Sequence, residues 1–394
     1  MGCIIVYKKI IKFSLCIMIL FILIFSKIEN KISATSSDGL VKYAKSAVLI
    51  EVESGEVLYE YNAHARLEPA SMTKIMTMKL VMDAIKSKRI TKDQILTTSE
   101  VASSMGGTQI YLSVGEKMCV EDLFKSMIIT SANDATVSLC EAISGSIDNF
   151  VVSMNKEVRR LGLKNTSFRN VTGLPITKHY SSSYDMAMIA RSLLLEYEED
   201  IIPYTSKYED YVREDSDDPF WLVNTNKMIK HIDGVDGLKT GWTESAGYCL
   251  TCTKKENGMR LISVVMNVDS VKHRTEDTLS LLNYGFSNYE KMIIVGKNTE
   301  IEDGNNILLD PTSYKVVTSN NIVKVIKKGS KLDPPKLEVS LYNDRIMDLK
   351  QYNVGKLDVY INNELVGSTK LELVEKPKKT TFWKVFLNVL REIF

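Results

Sequence analysis

The spacing of apolar residues divides this chain into a mixed region followed by a region of strands alone. Alternating residues at 46–62 predict a β-hairpin that turns at Glu53-Ser54-Gly55-Glu56. Helical spacing predicts a helix from Ser71 to about Lys88. Further helices are expected at 120–140 with an interruption near 130–133, at 183–197 and at 275–284. Antiparallel strands are expected at 237–241, 247–254 and 261–268. Because strands come from both ends of this region and helices lie between them, the predicted fold class is α+β.

Beyond residue 288 the pattern changes to short alternating strands. They are expected at 322–328, 336–342 and 356–361, with turn-prone stretches such as Asn343-Asp344 between them. This pattern predicts a small β-sandwich domain at 289–375.

The N-terminus has the pattern of a secretory signal. Lys8, Lys9 and Lys12 precede an apolar run at 13–25, and small residues follow at 33–35. The run is too short to span a bilayer comfortably, so we predict a signal peptide at 1–34. The mixed region then forms a domain at 35–288 that works outside the cytoplasm. An uncleaved N-terminal anchor is the alternative.

The C-terminus, 376–394, has the pattern of an amphipathic helix. Lys384, Asn388 and Arg391 share one helical face, and aromatic and aliphatic residues such as Phe382 and Trp383 cover the rest. Basic flanks and aromatics in a short helix predict an anchor that lies on the membrane surface. We therefore expect a secreted protein held at the outer face of the cytoplasmic membrane. A final helix packed on its own domain is the alternative.

Composition narrows the function classes. The 394 residues suggest two or three domains, and a formal net charge of +1 gives no electrostatic basis for nucleic-acid binding. The histidines, His64, His179, His231 and His273, are scattered, so we expect neither a metal site nor a cofactor.

Three short motifs carry candidate chemistry. Ser71 and Lys74 lie three residues apart, which places a hydroxyl and an amine on one helical face. A lysine can activate a serine if it holds its own proton loosely. Alone, the pair is also typical of a helix-capping serine followed by a solvated lysine. Ser131-Ala132-Asn133 follows at the interruption between two helices, and Lys239-Thr240-Gly241 follows on a strand. The ordered trio is the signature of penicillin-binding proteins and class A β-lactamases.

On these residues the chain resembles the low-molecular-mass penicillin-binding proteins, serine-type D-alanyl-D-alanine carboxypeptidases of peptidase family S11, similar to those of spore-forming Gram-positive bacteria. The resemblance extends beyond the trio. It also rests on Pro69-Ala70, Gly107-Thr108-Gln109, Asp134-Ala135, Thr172-Gly173-Leu174 and Trp242-Thr243. It implies a penicillin-binding/β-lactamase-like fold, in which a helical cluster packs on a five-stranded antiparallel sheet, followed by the small all-β domain and the C-terminal amphipathic helix.

The resemblance implies roles for four residues of the first two motifs. Ser71 is the expected nucleophile, which attacks the carbonyl between two D-alanines. Lys74 is the expected general base, and burial together with the cation Lys239 would lower its pKa. Ser131 is the expected proton shuttle to the leaving amine. Asn133 is expected to hold Lys74 and the substrate amide.

The remaining roles concern the oxyanion and the carboxylate. The backbone N–H groups of Ser71 and Trp242 are the expected oxyanion hole. Lys239, Thr240 and Arg274 are the expected binding groups for the terminal carboxylate, although Arg274 could instead be a surface residue paired with a nearby acid. The implied substrate is a peptidoglycan stem pentapeptide ending in D-Ala-D-Ala, and a β-lactam would acylate the same serine.

Three alternatives stay open at this point. A class A-like β-lactamase would need a deacylating carboxylate in a Glu-x-x-x-Asn pattern, and no glutamate between Ser131 and Lys239 is followed by asparagine four residues later. A non-catalytic penicillin-binding wall module would normally show a broken trio, which is intact here. Transpeptidase or endopeptidase activity would use the same residues, because it differs only in what leaves or enters the acyl-enzyme.

Overall fold

The computed structural model describes residues 39–214, 216–305, 309–310, 313–341, 353–375, 378–379 and 381–393. The helices, in chain order, are α1 (Lys74–Lys86), α2 (Glu100–Ser103), α3 (Val120–Ile129), α4 (Asn133–Ser144), α5 (Ile147–Arg160), α6 (Ser183–Thr205), α7 (Met228–His231), α8 (Val271–Asn288) and α9 (Phe382–Ile393). A 3₁₀ turn, Ala70–Thr73, leads directly into α1. The strands are β1 (Ser46–Glu51), β2 (Val57–Tyr61), β3 (Ile95–Thr97), β4 (Lys117–Cys119), β5 (Glu209–Val212), β6 (Phe220–Val223), β7 (Val235–Thr243), β8 (Gly247–Glu256), β9 (Met259–Val268), β10 (Tyr289–Val295), β11 (Glu300–Asn305), β12 (Leu309–Asp310), β13 (Ser313–Thr318), β14 (Ile322–Lys327), β15 (Lys336–Leu341), β16 (Asn353–Ile361), β17 (Glu364–Leu373) and β18 (Lys378–Lys379).

A five-stranded antiparallel sheet in the order β2-β1-β9-β8-β7 supports the mixed region. Strand β1 pairs with β9, so the sheet joins segments from both ends of this region, and the predicted α+β class is confirmed. Side chains such as Val48 and Ile50 on one face of β1 pack in the core that includes α1 and α6. Their neighbour Leu49 points to the opposite face and packs in the core that includes α8. The period-2 alternation of a strand buried on both faces explains this arrangement.

The edge of this sheet is where the chain's motifs meet. Strand β7, which carries Lys239-Thr240-Gly241, is the last strand in the order and lies against the 3₁₀ turn Ala70–Thr73. Helices α3 and α4 are separated at 130–132, as the interruption predicted, and Ser131 adopts a positive φ of 70° there. The fold therefore brings turn, helix junction and edge strand together.

Helix α6 continues beyond its predicted end at residue 197. Tyr197 has non-helical dihedral angles (φ −141°, ψ 25°), which break the regular pattern, yet the chain resumes a helix through Pro203. The Tyr197 hydroxyl donates a hydrogen bond to Asp83 Oδ1 of α1 at 2.5 Å. This tertiary contact holds the kinked segment on α1, and apolar spacing alone contains no sign of it.

Between residues 289 and 379 the described elements are strands, with a five-stranded sheet in the order β11-β13-β17-β16-β15 and two-stranded sheets of β10 with β14 and of β12 with β18. Val295 and Ile322 of the sheet of β10 with β14 share a core with Val359 and Leu371 of the large one. The domain boundaries 35–288 and 289–375 stay predictions.

Two predicted segments lie at the ends of the chain. The predicted signal peptide, 1–34, lies outside the described residues. Helix α9 exposes large apolar side chains, with Phe382 76% and Trp383 71% exposed. Within the described ranges, no helix has both the length and the apolar character needed to cross a membrane.

Candidate active site

The candidate nucleophile lies on a tight turn. Ser71 belongs to the 3₁₀ turn Ala70–Thr73, and Lys74 is the first residue of α1. Ala70 adopts a positive φ of 47°, so the chain bends sharply just before the serine. Lys74 is fully buried, and its Nζ lies 3.1 Å from Ser71 Oγ. The predicted one-turn proximity of hydroxyl and amine is therefore present, with the serine just ahead of the α-helix rather than within it.

Two acceptors orient the Lys74 amine. Nζ donates to Asn133 Oδ1 at 2.7 Å and to the Thr172 carbonyl at 3.0 Å. Neither oxygen can donate a proton in return, so both of these contacts use N–H bonds of Lys74. A neutral amine has two such bonds and one lone pair. With both bonds engaged, the lone pair is left to face the Ser71 hydroxyl.

The surroundings favour that neutral form. Burial is the main cause that holds the pKa of Lys74 well below its usual range, and the nearby charge of Lys239 lowers it further. Asp134 acts in the opposite direction. Its carboxylate, however, is occupied by the backbone N–H groups of Ile110 and Leu112, at 3.1 and 3.0 Å from Oδ2.

The second motif contributes the side-chain amide of Asn133 and the hydroxyl of Ser131. Asn133 holds Lys74 through Oδ1 and donates from Nδ2 to the Gly106 carbonyl at 2.6 Å. It therefore also ties the 106–112 loop to the site, a function that we did not predict. Ser131 is nearly buried, and among the residues that the structure describes its Oγ has no hydrogen-bond partner. That hydroxyl is available for a substrate atom.

The third motif supplies buried cationic and hydroxyl groups. Lys239 is 1% exposed, and burial, followed by the charge of Arg274, lowers its pKa to about 7. Thr240 Oγ1 donates to Thr225 Oγ1 at 2.6 Å, which fixes the orientation of the Thr240 hydroxyl. Thr225 was not among the predicted residues, because no local pattern indicates it.

Arg274 is not a surface residue paired with an acid. It is 5% exposed, and within the described part of the chain its Nε has no hydrogen-bond partner. The nearby acid Asp277 accepts instead from the backbone N–H groups of Lys42, Tyr43 and Ala44, at 2.9, 3.0 and 2.8 Å. A buried guanidinium of this kind suits a carboxylate ligand.

Glycines let three backbone segments converge at the serine. A Cβ on Gly241 would lie 2.7 Å from the Pro69 carbonyl and 3.2 Å from Ser71 N. This close approach brings the Trp242 peptide next to the Ser71 peptide, whereas the Trp242 side chain is 57% exposed. Gly173, with φ +89°, also lies against this turn, and a Cβ there would lie 1.8 Å from the Ala70 carbonyl oxygen. Bulkier residues would push these segments apart.

The 170–174 segment is the main element that we did not assign a role. Thr172 acts through its carbonyl, so its side-chain type gives no indication of the contact. Asn170 Oδ1 accepts from the N–H groups of Thr172 and Gly173, at 3.2 and 2.7 Å, and holds this bend in place. In the part of the chain that the structure describes, no group of three or more His, Cys, Asp or Glu side chains could hold a metal ion.

Comparison with known proteins identifies the family. A family described as D-alanyl-D-alanine carboxypeptidase matches residues 33–270. The D-alanyl-D-alanine carboxypeptidase DacF of Bacillus subtilis (strain 168) is 43% identical over 349 residues, which cover 87% of this chain and 88% of DacF.

Solved structures give the same result. Penicillin binding protein 5 from Haemophilus influenzae aligns with a TM-score of 0.68 and 30% identity, over 86% of this chain and 98% of that one. Penicillin-Binding Protein D2 from Listeria monocytogenes, in its cefotaxime-bound form, aligns with a TM-score of 0.56 and 32% identity, over 62% of this chain and 97% of that one. These matches confirm the resemblance inferred from the motifs and the penicillin-binding fold. The chain belongs to the D-alanyl-D-alanine carboxypeptidase family, peptidase family S11.

Proposed function

We propose that this chain is a serine-type D-Ala-D-Ala carboxypeptidase that removes the terminal D-alanine from peptidoglycan stem pentapeptides. The observation that carries the proposal is the Lys74 amine, which donates to Asn133 Oδ1 and to the Thr172 carbonyl and lies 3.1 Å from Ser71 Oγ. A buried amine with a lowered pKa, oriented in this way, is suited to take the serine proton.

Acylation follows from this arrangement. Ser71 Oγ attacks the carbonyl of the penultimate D-alanine, and its proton passes to Lys74. The tetrahedral oxyanion accepts hydrogen bonds from the N–H groups of Ser71 and Trp242. When the C–N bond breaks, the Ser131 hydroxyl gives a proton to the D-alanine amine and recovers one from Lys74. Free D-alanine leaves, and Ser71 carries the acyl ester.

The terminal carboxylate orients the substrate for this step. Lys239 and Arg274 offer two cations, and Thr240 offers a hydroxyl whose one proton turns from Thr225 Oγ1 to the carboxylate on binding. Burying two cations together is unfavourable, as the lowered pKa of Lys239 reflects. A bound carboxylate relieves that repulsion, so binding energy selects substrates that end in a free carboxylate.

Deacylation completes the turnover. A water molecule enters where D-alanine has left, Lys74 accepts its proton, and the ester is hydrolysed to release the shortened peptide and Ser71. A β-lactam has a matching carboxylate and an acylating carbonyl. Its opened ring stays attached and occupies the position of that water, so we expect β-lactams to be covalent inhibitors of Ser71.

The test pairs fluorescent penicillin labelling with D-alanine release from diacetyl-Lys-D-Ala-D-Ala. We expect label and release for the intact protein and neither for Ser71→Ala. Release by the Ser71→Ala protein would refute the mechanism, and rapid turnover of penicillin would favour the β-lactamase alternative. Label without release, even with an amine acceptor or a cross-linked substrate, would indicate a non-catalytic wall module.

We further propose that α9 holds the secreted enzyme at the outer face of the cytoplasmic membrane. Support comes from its exposed aromatic and aliphatic side chains, including Phe386 at 48% and Leu387 at 53% exposure. We expect a signal-processed protein that ends at Thr381 to be released from membranes with its carboxypeptidase activity retained. Continued sedimentation of that protein with membranes would show that another segment binds them.

A further inference from the structure

His179 is a buried titratable group that the proposed reaction does not use. Its side chain is 4% exposed. Nδ1 accepts a hydrogen bond from the Arg169 backbone N–H at 3.1 Å, and Nε2 lies 2.8 Å from Thr73 Oγ1. Because Nδ1 accepts, the ring proton of neutral His179 is on Nε2, which therefore donates to Thr73.

Thr73 connects this imidazole to the catalytic turn. It stands between Ser71 and Lys74, is fully buried, and occupies the N-cap position of α1. A threonine at that position commonly caps its helix through its hydroxyl. Here the hydroxyl makes no such cap bond and contacts His179 instead. The contact links the turn to the 170–180 loop.

The same loop orients the base. Its Thr172 carbonyl accepts from Lys74 Nζ, and the preceding Val171 carbonyl accepts from Thr77 Oγ1 of α1 at 3.1 Å. His179 also closes the loop on itself, because Arg169 and His179 lie at its two ends. One imidazole thus fixes both the turn that carries the nucleophile and the loop that carries an acceptor for the base.

We propose that His179 is a positioning residue that, through Thr73 and the 170–180 loop, keeps the lone pair of Lys74 directed at Ser71. The inference rests on the proposed function, because it concerns the acylation step. If the contact with Thr73 is lost, the turn and the loop can shift relative to each other. The Lys74 amine then spends less time in the geometry that accepts the serine proton.

The test uses variants that separate the two ring nitrogens. His179→Gln keeps a donor near the position of Nε2, whereas His179→Asn keeps an acceptor near that of Nδ1. Thr73→Val removes the hydroxyl with little change in shape. The rate constant for acylation by fluorescent penicillin is measured across pH, per folded protein. His231→Asn, at an exposed position, is the matched control.

We expect His179→Asn and Thr73→Val each to acylate about tenfold more slowly, since a full ångström of misplacement costs about 100-fold and the loss of one hydrogen bond should allow a smaller shift. The double variant should also lose about tenfold, because both changes break one contact. His179→Gln should stay within about threefold of the original protein. The acidic limb of the pH profile should move to higher pH in the two slow variants, since a less confined Lys74 holds its proton more tightly.

Other outcomes overturn the inference. They are an additive loss of about a hundredfold in the double variant, a His179→Asn protein that acylates at the original rate, or slow variants whose acidic limb does not move. Failure of the unmodified protein to bind penicillin would instead count against the proposed function. The two failures are therefore distinguishable.

Discussion

Substituting Gly173 by alanine should disable the site through the backbone alone. The added Cβ would lie 1.8 Å from the Ala70 carbonyl oxygen, and restoring a separation of 3.0 Å requires a movement of about 1.2 Å. Ala70 precedes Ser71, and Gly173 follows the carbonyl that orients Lys74. The displacement therefore separates Ser71 from Lys74, the proposed nucleophile and the proposed base. Misplacement by an ångström costs about 100-fold in rate, so we expect acylation by penicillin to fall at least that much.

That experiment needs a control that separates backbone strain at a positive φ from displacement of the backbone at Ala70. Gly173 and Gly162 both have positive φ, +89° and +70°, but a Cβ on Gly162 would meet nothing within 4 Å. Gly162→Ala should lose only the left-handed strain of about 1–2 kcal/mol, with unchanged acylation. Overpacking adds about 1–3 kcal/mol, so Gly173→Ala should lose about 2–5 kcal/mol of unfolding free energy in urea. If the two folded variants acylate within about threefold of each other, the close approach at Gly173 does not matter for catalysis.

Three further predictions concern charge and hydrogen bonding at the site. Lys239 has a pKa of about 7, so its charge is lost as pH increases through 7 and KM for a D-Ala-D-Ala peptide should rise. KM for the C-terminal amide of that peptide should not change, because it has no carboxylate. A KM for the free-acid peptide that falls with increasing pH would exclude Lys239 from carboxylate binding. Asn133→Asp places an anion beside the Lys74 amine, so the pKa of Lys74 should rise and acylation at neutral pH should slow. An acidic limb at the same pH as in the original protein would contradict this. Thr225→Val removes the oxygen that accepts the one hydroxyl proton of Thr240, so this proton is free for the carboxylate and KM should fall about fivefold at constant kcat. A rise in KM would contradict this.

The sequence alone predicted those elements whose residues form a local pattern of apolar spacing and turn residues. The hairpin of β1 and β2, the break between α3 and α4, and the strand that carries Lys239 all follow from spacing and turn residues. The convergence of Ser71, Asn133 and Lys239 followed from a resemblance, because no local rule brings distant segments together.

Residues that act through the main chain or through tertiary contacts were missed. Thr172 contributes a carbonyl that every residue type possesses. His179 looked like one scattered histidine among four, because its partners are Thr73, over a hundred positions earlier, and the Arg169 backbone. The kink at Tyr197 depends on a hydroxyl contact to another helix. These features are set by packing, which periodicity does not encode.

The three hydrogen bonds at Asp277 have a consequence for biogenesis. They join the segment 42–44 to α8, the helix that carries Arg274 one turn earlier. A chain that is synthesised from its N-terminus contains Ser71 and Lys74 long before it contains Asp277. The side of the site that carries Arg274 can therefore be completed only after residue 277 has been added. Incomplete chains that end before this residue should accordingly neither release D-alanine nor capture penicillin efficiently.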